Sequence, residues 1–474
     1  MYPEKQIELI NLLDGSVELK DGEITIIDGS KLRGSIEKLV KKAVLSEDDL
    51  EKYIARYLVR RVAAEAGIHP NSIHDLYMAR GREDVPNIFT VPAINLRGLT
   101  FYAARIIFMI ANEVDAGAFI FELARSETGY TDQRPSEYAA NILGAAVAAG
   151  YQGPVFIQGD HYQISAGRYN DNPEPEMKAL KDLCDEAIKA GFYNIDVDAS
   201  TLVDLSEEDV IKQQVLNSQL TAFFTDYIRK LEPEGITVSI GGEIGEVGEE
   251  NSTEEELRAY LDSLKVDLEK IAPDAVGLSK ISVLTGTSHG GVVLPDGSIK
   301  EVAVDFDLLQ HLGKVARESY GIGGAVQHGA STLPESAFTE FPKYETLEVH
   351  LATNFQNILF DELPDDLRSE IYAWLDVNNS HERKEGQTDD QFYYKTRKRA
   401  FGEFKKKIWD ITPEQLAKIT TAWDKQFRDL FERLAIADTR KYVDNYIKEV
   451  KISANLEDYL LGTVEQEDTS DLAD

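Results

Sequence analysis

One cysteine in 474 residues, Cys184, leaves no partner for an internal disulfide and no cysteine-built metal site. The chain also lacks an apolar run of membrane-spanning length. Its first residues, Met1-Tyr-Pro-Glu-Lys-Gln, have neither the basic nor the apolar region of a secretory signal. Together these absences predict a reducing, cytoplasmic location. Basic charge is scarce as well: 50 Lys and Arg face 84 Asp and Glu, for a formal net charge of −34. That balance argues against nucleic acid and anionic membranes as partners and favours solubility. It leaves room for a phosphate held locally by backbone amides and a few Arg or Lys. No internal repeat, no low-complexity linker and no Gly-x-Gly-x-x-Gly strand–helix unit is present. The last absence weighs against a doubly wound open sheet, the second choice of fold.

What is present alternates. Short apolar strands begin near Asn87, Ala118, Pro154 and Asn194, with more around 236–242, 275–284, 323–327 and 346–352. Helical stretches such as Ser136–Val147 and Glu176–Ala187 separate them. Eight such units predict an α/β fold, a TIM-type (β/α)8 barrel over residues 86–375. Residues 1–85 form an accessory N-terminal segment, with a hairpin turning at Asp21-Gly22 and a helix opened by a capping box at Ser46 and stopped at Gly67. Another helix begins at Ser206, with Asp209 completing its capping box. Residues 376–474 read as a helical C-terminal extension, with a start at Thr412-Pro413-Glu-Gln415 and an aromatic face of Trp423, Phe427, Phe431 and Tyr442. The end, from Glu465, reads as a solvated acidic tail.

The chain has only eight histidines. Three of them follow an apolar run and sit among small residues: His161 in Val155-Phe-Ile-Gln-Gly-Asp-His161, His289 in Leu284-Thr-Gly-Thr-Ser-His289, and His328 in Gly323-Gly-Ala-Val-Gln-His328. A fourth segment of the same build ends in Glu243. Strand ends of a parallel barrel converge on one mouth, and three imidazoles with an open position suit a catalytic zinc. A lone histidine beside glycine is more often structural; three at strand ends with a carboxylate point to a shared metal site.

The order and wording of these segments resemble the class II, metal-dependent fructose-bisphosphate and tagatose-bisphosphate aldolases. Asp160-His161 is similar to that family's Asp-His pair, Val203-Asp-Leu-Ser to its (V/I)DLS stretch, and Glu243-Ile-Gly with Gly248-Glu249-Glu250 to its glutamate loop. Gly286-Thr-Ser-His289-Gly and His328-Gly-Ala-Ser331 resemble its two histidine turns. The likeness covers about residues 88–360. It implies zinc, or another divalent metal, on His161, His289 and His328, with Glu243 as an alternate ligand and a monovalent cation nearby. It implies Asp160 as the proton carrier at C4, or else the carboxylate that orients His161. Glu250, or its neighbour Glu249, would exchange the proton at C3. It implies a phosphorylated sugar bound by Gly329, Ser331, Thr353 and Asn354, with Ser126 adding a hydroxyl to the phosphate, in a homo-oligomer. Asn95, on the first-strand pattern, either lines the floor of the site or makes a structural hydrogen bond.

Departures accompany the likeness. The family's Asn-x-Asp-Thr-Asp strand end reads His350-Leu-Ala-Thr-Asn354, so His350 replaces an Asn that helps hold the dihydroxyacetone moiety. Ala330 replaces a glycine, and the chain is over a hundred residues longer than a typical member. Gly159-Asp160-His161 and Ala190-Gly-Phe…Asp198-Ala-Ser200 also resemble the non-catalytic partner subunits of tagatose-bisphosphate aldolase. Three activities therefore stand as expectations. The first is an aldolase acting on a ketose phosphate through an enediolate. The others are a C4-epimerase by retro-aldol and re-addition on the same site, and a non-catalytic subunit.

Overall fold

The structure, a computed structural model, describes residues 2–245, 250–286, 303–460, 469 and 472. An antiparallel hairpin, β1 (Val17–Lys20) and β2 (Glu23–Ile26), turns at Asp21 and Gly22, both with positive φ. The other nine strands are β3 (Ile68–Asn71), β4 (Val91–Asn95), β5 (Ile120–Ala124), β6 (Gly153–Gln163), β7 (Asn194–Asp198), β8 (Ser239–Glu243), β9 (Lys280–Val283), β10 (Ala325–Gln327) and β11 (Glu348–Leu351). From β4 to β11 each strand pairs in parallel with the next, and β11 pairs with β4. Eight strands thus close on themselves as the alternating pattern predicted.

β3 is an addition before the barrel. It pairs in parallel with β6 through Ile68↔Gly153 and Asn71↔Phe156, while β7 pairs with β6 only from Gln158 onward. β3 therefore prolongs the wall at the N-terminal end of the barrel. The helix His74–Gly81 that follows reaches across that end, and Tyr77, fully buried, donates its hydroxyl to Glu348 at the start of β11. The N-terminal segment expected as an accessory thus supplies part of the barrel's wall and its floor.

The helix Pro135–Ala149 carries Ala139, Ala140, Ala145 and Ala146 and is buried almost throughout. Small residues on all sides let it pack on the barrel and also receive the helices Gly29–Leu45 and Asp49–Glu65. At Gly144 a Cβ would fall 2.3 Å from Val40 Cγ2, so the close approach needs glycine. At the other end of the chain, Pro413–Arg433 has the expected start with Pro413 at its first position, and the structure adds a capping box of Thr412 and Gln415. Its Trp423 donates to the Phe355 carbonyl at 3.0 Å, and Phe427 packs on Phe355 at 4.9 Å between centroids.

Three local expectations need correction. The helix placed at Ser46 is capped by Asp48, whose carboxylate accepts from Leu50 N and Glu51 N. Asp209 is itself the N-cap of Val210–Gln213, while Ser206 bonds back to Asp204. Of the expected solvated tail, Thr469 and Leu472 are described, and both are buried, with Thr469 Oγ1 donating to the Ser126 carbonyl at 2.7 Å.

Candidate active site at the barrel mouth

Alternation along each strand fills the barrel with polar groups. Asp196 and Asp198 on β7, Glu348 and His350 on β11, and Lys280 and Ser282 on β9 are each two apart and buried. They form two layers. In the lower one Lys280 Nζ lies 2.8 Å from Gln158 Oε1, 2.9 Å from Asp196 Oδ1 and 2.5 Å from Glu348 Oε1. Gly241 on β8 makes room for this group: a Cβ there would fall 2.2 Å from Asp196 Oδ1 and 2.8 Å from Lys280 Cε. With two carboxylates beside it, the Lys280 ammonium is held above its usual range despite burial. That environment speaks against Lys280 as a Schiff-base nucleophile, which needs a neutral amine.

The upper layer holds the histidines. In a regular strand Asp160 and His161 would face opposite ways. Here β6 carries one extra residue against β7 between Gly159 and Tyr162, and His161 has φ 41°. A bulge of this kind re-aims side chains, and left-handed backbone at a non-glycine residue is a strained conformation that clusters at functional sites. Both side chains enter one cavity, also lined by Asn95, Glu122, Glu127, His328 and His350.

The distances are short. His161 Nδ1 is 2.8 Å from Glu243 Oε1 and 3.3 Å from Asp198 Oδ2. Asp160 Oδ1 is 3.8 Å from His161 Nε2, 3.6 Å from His328 Nε2 and 3.1 Å from His350 Nδ1. His328 Nε2 and His350 Nδ1 are 3.0 Å apart, and Ser282 Oγ holds His328 Nδ1 at 2.8 Å. Charge is unevenly distributed among these groups. Burial pushes the Asp160 carboxyl up, but the His161 and His350 imidazoles outweigh it and hold it well below the carboxylate range. Glu122 goes the other way, to about 8, through burial and the charge of Asp160. Burial and Asp198 raise Glu243 to about 7. Two carboxyl groups driven apart in this way are the usual mark of an acid–base pair.

The set fits a divalent cation. Asp160 Oδ1 and Glu243 Oε1 are buried acceptors without a hydrogen-bond donor, and they face imidazole nitrogens. Asp160, His161 and His328 bring ligand atoms within 4.8 Å of one another, as do His161, Asp198 and Glu243. Hard oxygen and borderline nitrogen donors in this proportion suit zinc and its neighbours.

The structure brings Asp160, His161, Glu243, His328 and His350 together, with Asn95, Gly329, Ser331 and Thr353 around the same cavity. Asn95 Nδ2 donates to Glu127 Oε2 at 2.6 Å. Gly329 has φ 68°, and Ser331 Oγ accepts from the amides of Ala352 at 2.7 Å and Thr353 at 3.2 Å. Ser126 and Asn354 do not line this cavity. Glu250 is exposed. His289 and Glu249 lie outside the described residues.

Sequence reasoning missed Glu122, Asp196, Asp198, Glu348, Arg97 and Glu127. The first four were legible in principle, since each is an acid at an inward position of a short apolar strand. Arg97 Nε pairs with Glu127 Oε1 at 2.7 Å, and both line the cavity beyond strand ends, where no periodicity marks them.

The family model for class-II fructose-bisphosphate aldolase matches residues 86–422. The chain belongs to that family. Among solved structures, this family member is similar to a probable tagatose 6 phosphate kinase from Sinorhizobium meliloti 1021, with 15% identity over 75% of this chain and 99% of that one and a TM-score of 0.50. It is also similar to the fructose-bisphosphate aldolase of Campylobacter jejuni, with 16% identity over 78% and 97% and a TM-score of 0.47. The fructuronate-tagaturonate epimerase UxaE of Cohnella laeviribosi gives 12% identity over 92% and 89%, with a TM-score of 0.47. No curated protein matches. The Sinorhizobium likeness is one of fold; the family match rests on sequence, over the barrel and the helices that follow it as far as residue 422.

Proposed function

We propose that this class-II aldolase family member is a metal-dependent aldolase that breaks or forms a carbon–carbon bond in a ketose phosphate. The observation that carries this reading is Asp160: a buried, ionised carboxylate with an unpartnered oxygen, set among imidazoles beside a Glu122 that burial keeps protonated. His161 and His328 would hold the metal, with Glu243 in reach of His161 and His289 assigned by motif. The metal when bound supplies Lewis-acid polarisation of the substrate carbonyl and stabilises the enediolate left by cleavage. The remaining steps belong to the chain. Asp160 takes the proton of the C4 hydroxyl as the C3–C4 bond breaks and returns it on condensation, and C3 takes up its proton from Glu250, or else Glu249, the role the motif gives them. The phosphate is received at the start of the helix Thr353–Glu362, where the Ala352 and Thr353 amides now held by Ser331 Oγ turn to the anion and the glycine at 329 lets it approach.

His350 favours a second reading on the same site. An imidazole 3.1 Å from Asp160 can exchange protons where the family's amide cannot. Retro-aldol cleavage followed by re-addition to the opposite face of the held aldehyde would invert C4 without release of fragments. Incubation of metal-replete protein with fructose and tagatose phosphates, with a triose-trapping dehydrogenase present, decides between them. Trapped triose is the expected result. Interconverted ketoses without triose overturn the aldolase in favour of the epimerase, and no turnover in a metal-replete sample overturns both.

A further inference from the structure

We infer that His350, through Nδ1, is a ligand of the metal and not a substrate-binding residue. This rests on the reading above that the site holds a divalent metal, it changes which groups hold it, and with Nδ1 on the metal it removes the proton exchange by His350 that favoured the epimerase reading.

The argument starts beneath His350. Its Nε2 lies 2.6 Å from Glu348 Oε1, and that carboxylate is fixed by Lys280 and by the Tyr77 hydroxyl. Glu348 already accepts from Lys280 Nζ at Oε1 and from the Tyr77 hydroxyl at Oε2, so both of its oxygens serve as acceptors. A carboxylate can only accept, so Nε2 carries the proton and donates. Nδ1 is therefore the nitrogen turned to the cavity. A histidine whose outer N–H is given to an anchored carboxylate is the usual arrangement of an imidazole metal ligand, because the pair fixes the tautomer and raises basicity.

The surroundings of Nδ1 then need a cation. It faces Glu122 Oε2 at 3.0 Å, Asp160 Oδ1 at 3.1 Å and His328 Nε2 at 3.0 Å. A single proton on Nδ1 satisfies one of these directions, and Asp160 Oδ1 is left without a donor. One ion with bonds of about 2.0–2.1 Å sets neighbouring ligand atoms about 3.3 Å apart in a tetrahedron. His350 Nδ1 and His328 Nε2, 3.0 Å apart, stand close to that spacing, while Asp160 Oδ1, 3.1 and 3.6 Å from them and 3.8 Å from His161 Nε2, stays beside the cluster as the base. The sequence departure at this position thus exchanges an amide for a donor that a metal prefers.

Cobalt(II) is the probe, since its visible bands report the number and kind of ligands. Full-length protein is stripped with chelator and titrated with Co2+ alone, as wild type, His350→Asn, His350→Gln and His161→Ala. Circular dichroism checks that each variant is folded, and the glutamine variant serves if the asparagine one is not. The expected result is one Co2+ per wild-type chain, a weaker and shifted band in both His350 variants, and a fall in affinity of more than about tenfold against a competing chelator. Spectra and affinity unchanged in a folded His350 variant overturn the assignment while leaving the metal reading intact. A wild-type protein that takes up no Co2+ overturns the metal reading itself, and the assignment with it.

Discussion

Asp160 and His161 are adjacent in the chain and serve one cavity, which only the extra residue in β6 permits. The pair was visible as a motif, but the bulge that makes it useful was not: Val155-Phe-Ile-Gln-Gly-Asp-His161 reads as a plain strand, and nothing in its composition announces φ 41° at a histidine. The role proposed for Asp160 makes a sharp expectation. Asp160→Asn keeps the shape and removes the charge, so turnover should fall by about 10²–10⁴, the usual span for a general acid–base group. Metal content measured on the same preparation should stay at the wild-type level. Loss of metal together with activity would make Asp160 a ligand and move the proton role to Glu122, the only other carboxyl this close to His350 Nδ1 among the described residues.

Strands and helices were far more legible than the contacts between them. The eight barrel strands appear where short apolar runs alternate with helical stretches, because a parallel barrel buries each strand on both faces. β3 escaped notice for the opposite reason. Ile68-His-Pro-Asn71 is four residues long and contains a proline, which marks an edge position at best, and β3 does sit at an edge, paired only with β6. The helix it leads into gives an element-scale prediction. His74 opens that helix, is buried, and its Nδ1 has no hydrogen-bond partner. Burial, with Arg229 and Arg82 nearby, lowers its pKa to about 4. An unfolded histidine titrates near 6.5, so as pH falls the unfolded state takes up the proton first. Stability contributed by neutral His74 is therefore complete above about pH 6.5 and lost between there and about pH 4. At pH 5 the loss should be about 2 kcal/mol. Urea unfolding at pH 7 and pH 5 should show this difference in the wild type and a smaller one in His74→Gln. Equal pH dependence in the two proteins would remove His74 as its source.

At the scale of the whole molecule, both ends of the chain are built into the barrel's surroundings. Asn71 Nδ2 donates to the Lys448 carbonyl at 2.9 Å, and Thr90 N, just before β4, to the Leu434 carbonyl at 3.0 Å, so the C-terminal part meets both the N-terminal segment and the barrel itself at the barrel's lower end. Such contacts join residues hundreds of positions apart and leave no local pattern, which is why the sequence marked these segments as extensions without showing what they cover. The metal, in contrast, ties folding to a site that the sequence did mark. A cation bound only by the folded chain stabilises it by about 2.7 kcal/mol at a hundredfold excess over its dissociation constant. Thermal unfolding of chelator-treated protein should therefore shift upward when zinc is restored. A net charge of −34 adds a competing cause, since any divalent cation relieves self-repulsion on so acidic a surface. The two causes separate by site and by salt. Relief of surface repulsion should be shared by magnesium, screened away at high ionic strength, and unchanged in His161→Ala. Stabilisation through the histidine cluster should persist in salt, prefer zinc to magnesium, and disappear in that variant. A zinc-induced shift of equal size in wild type and His161→Ala would place the ion on the surface and sink the mouth of the barrel as its site.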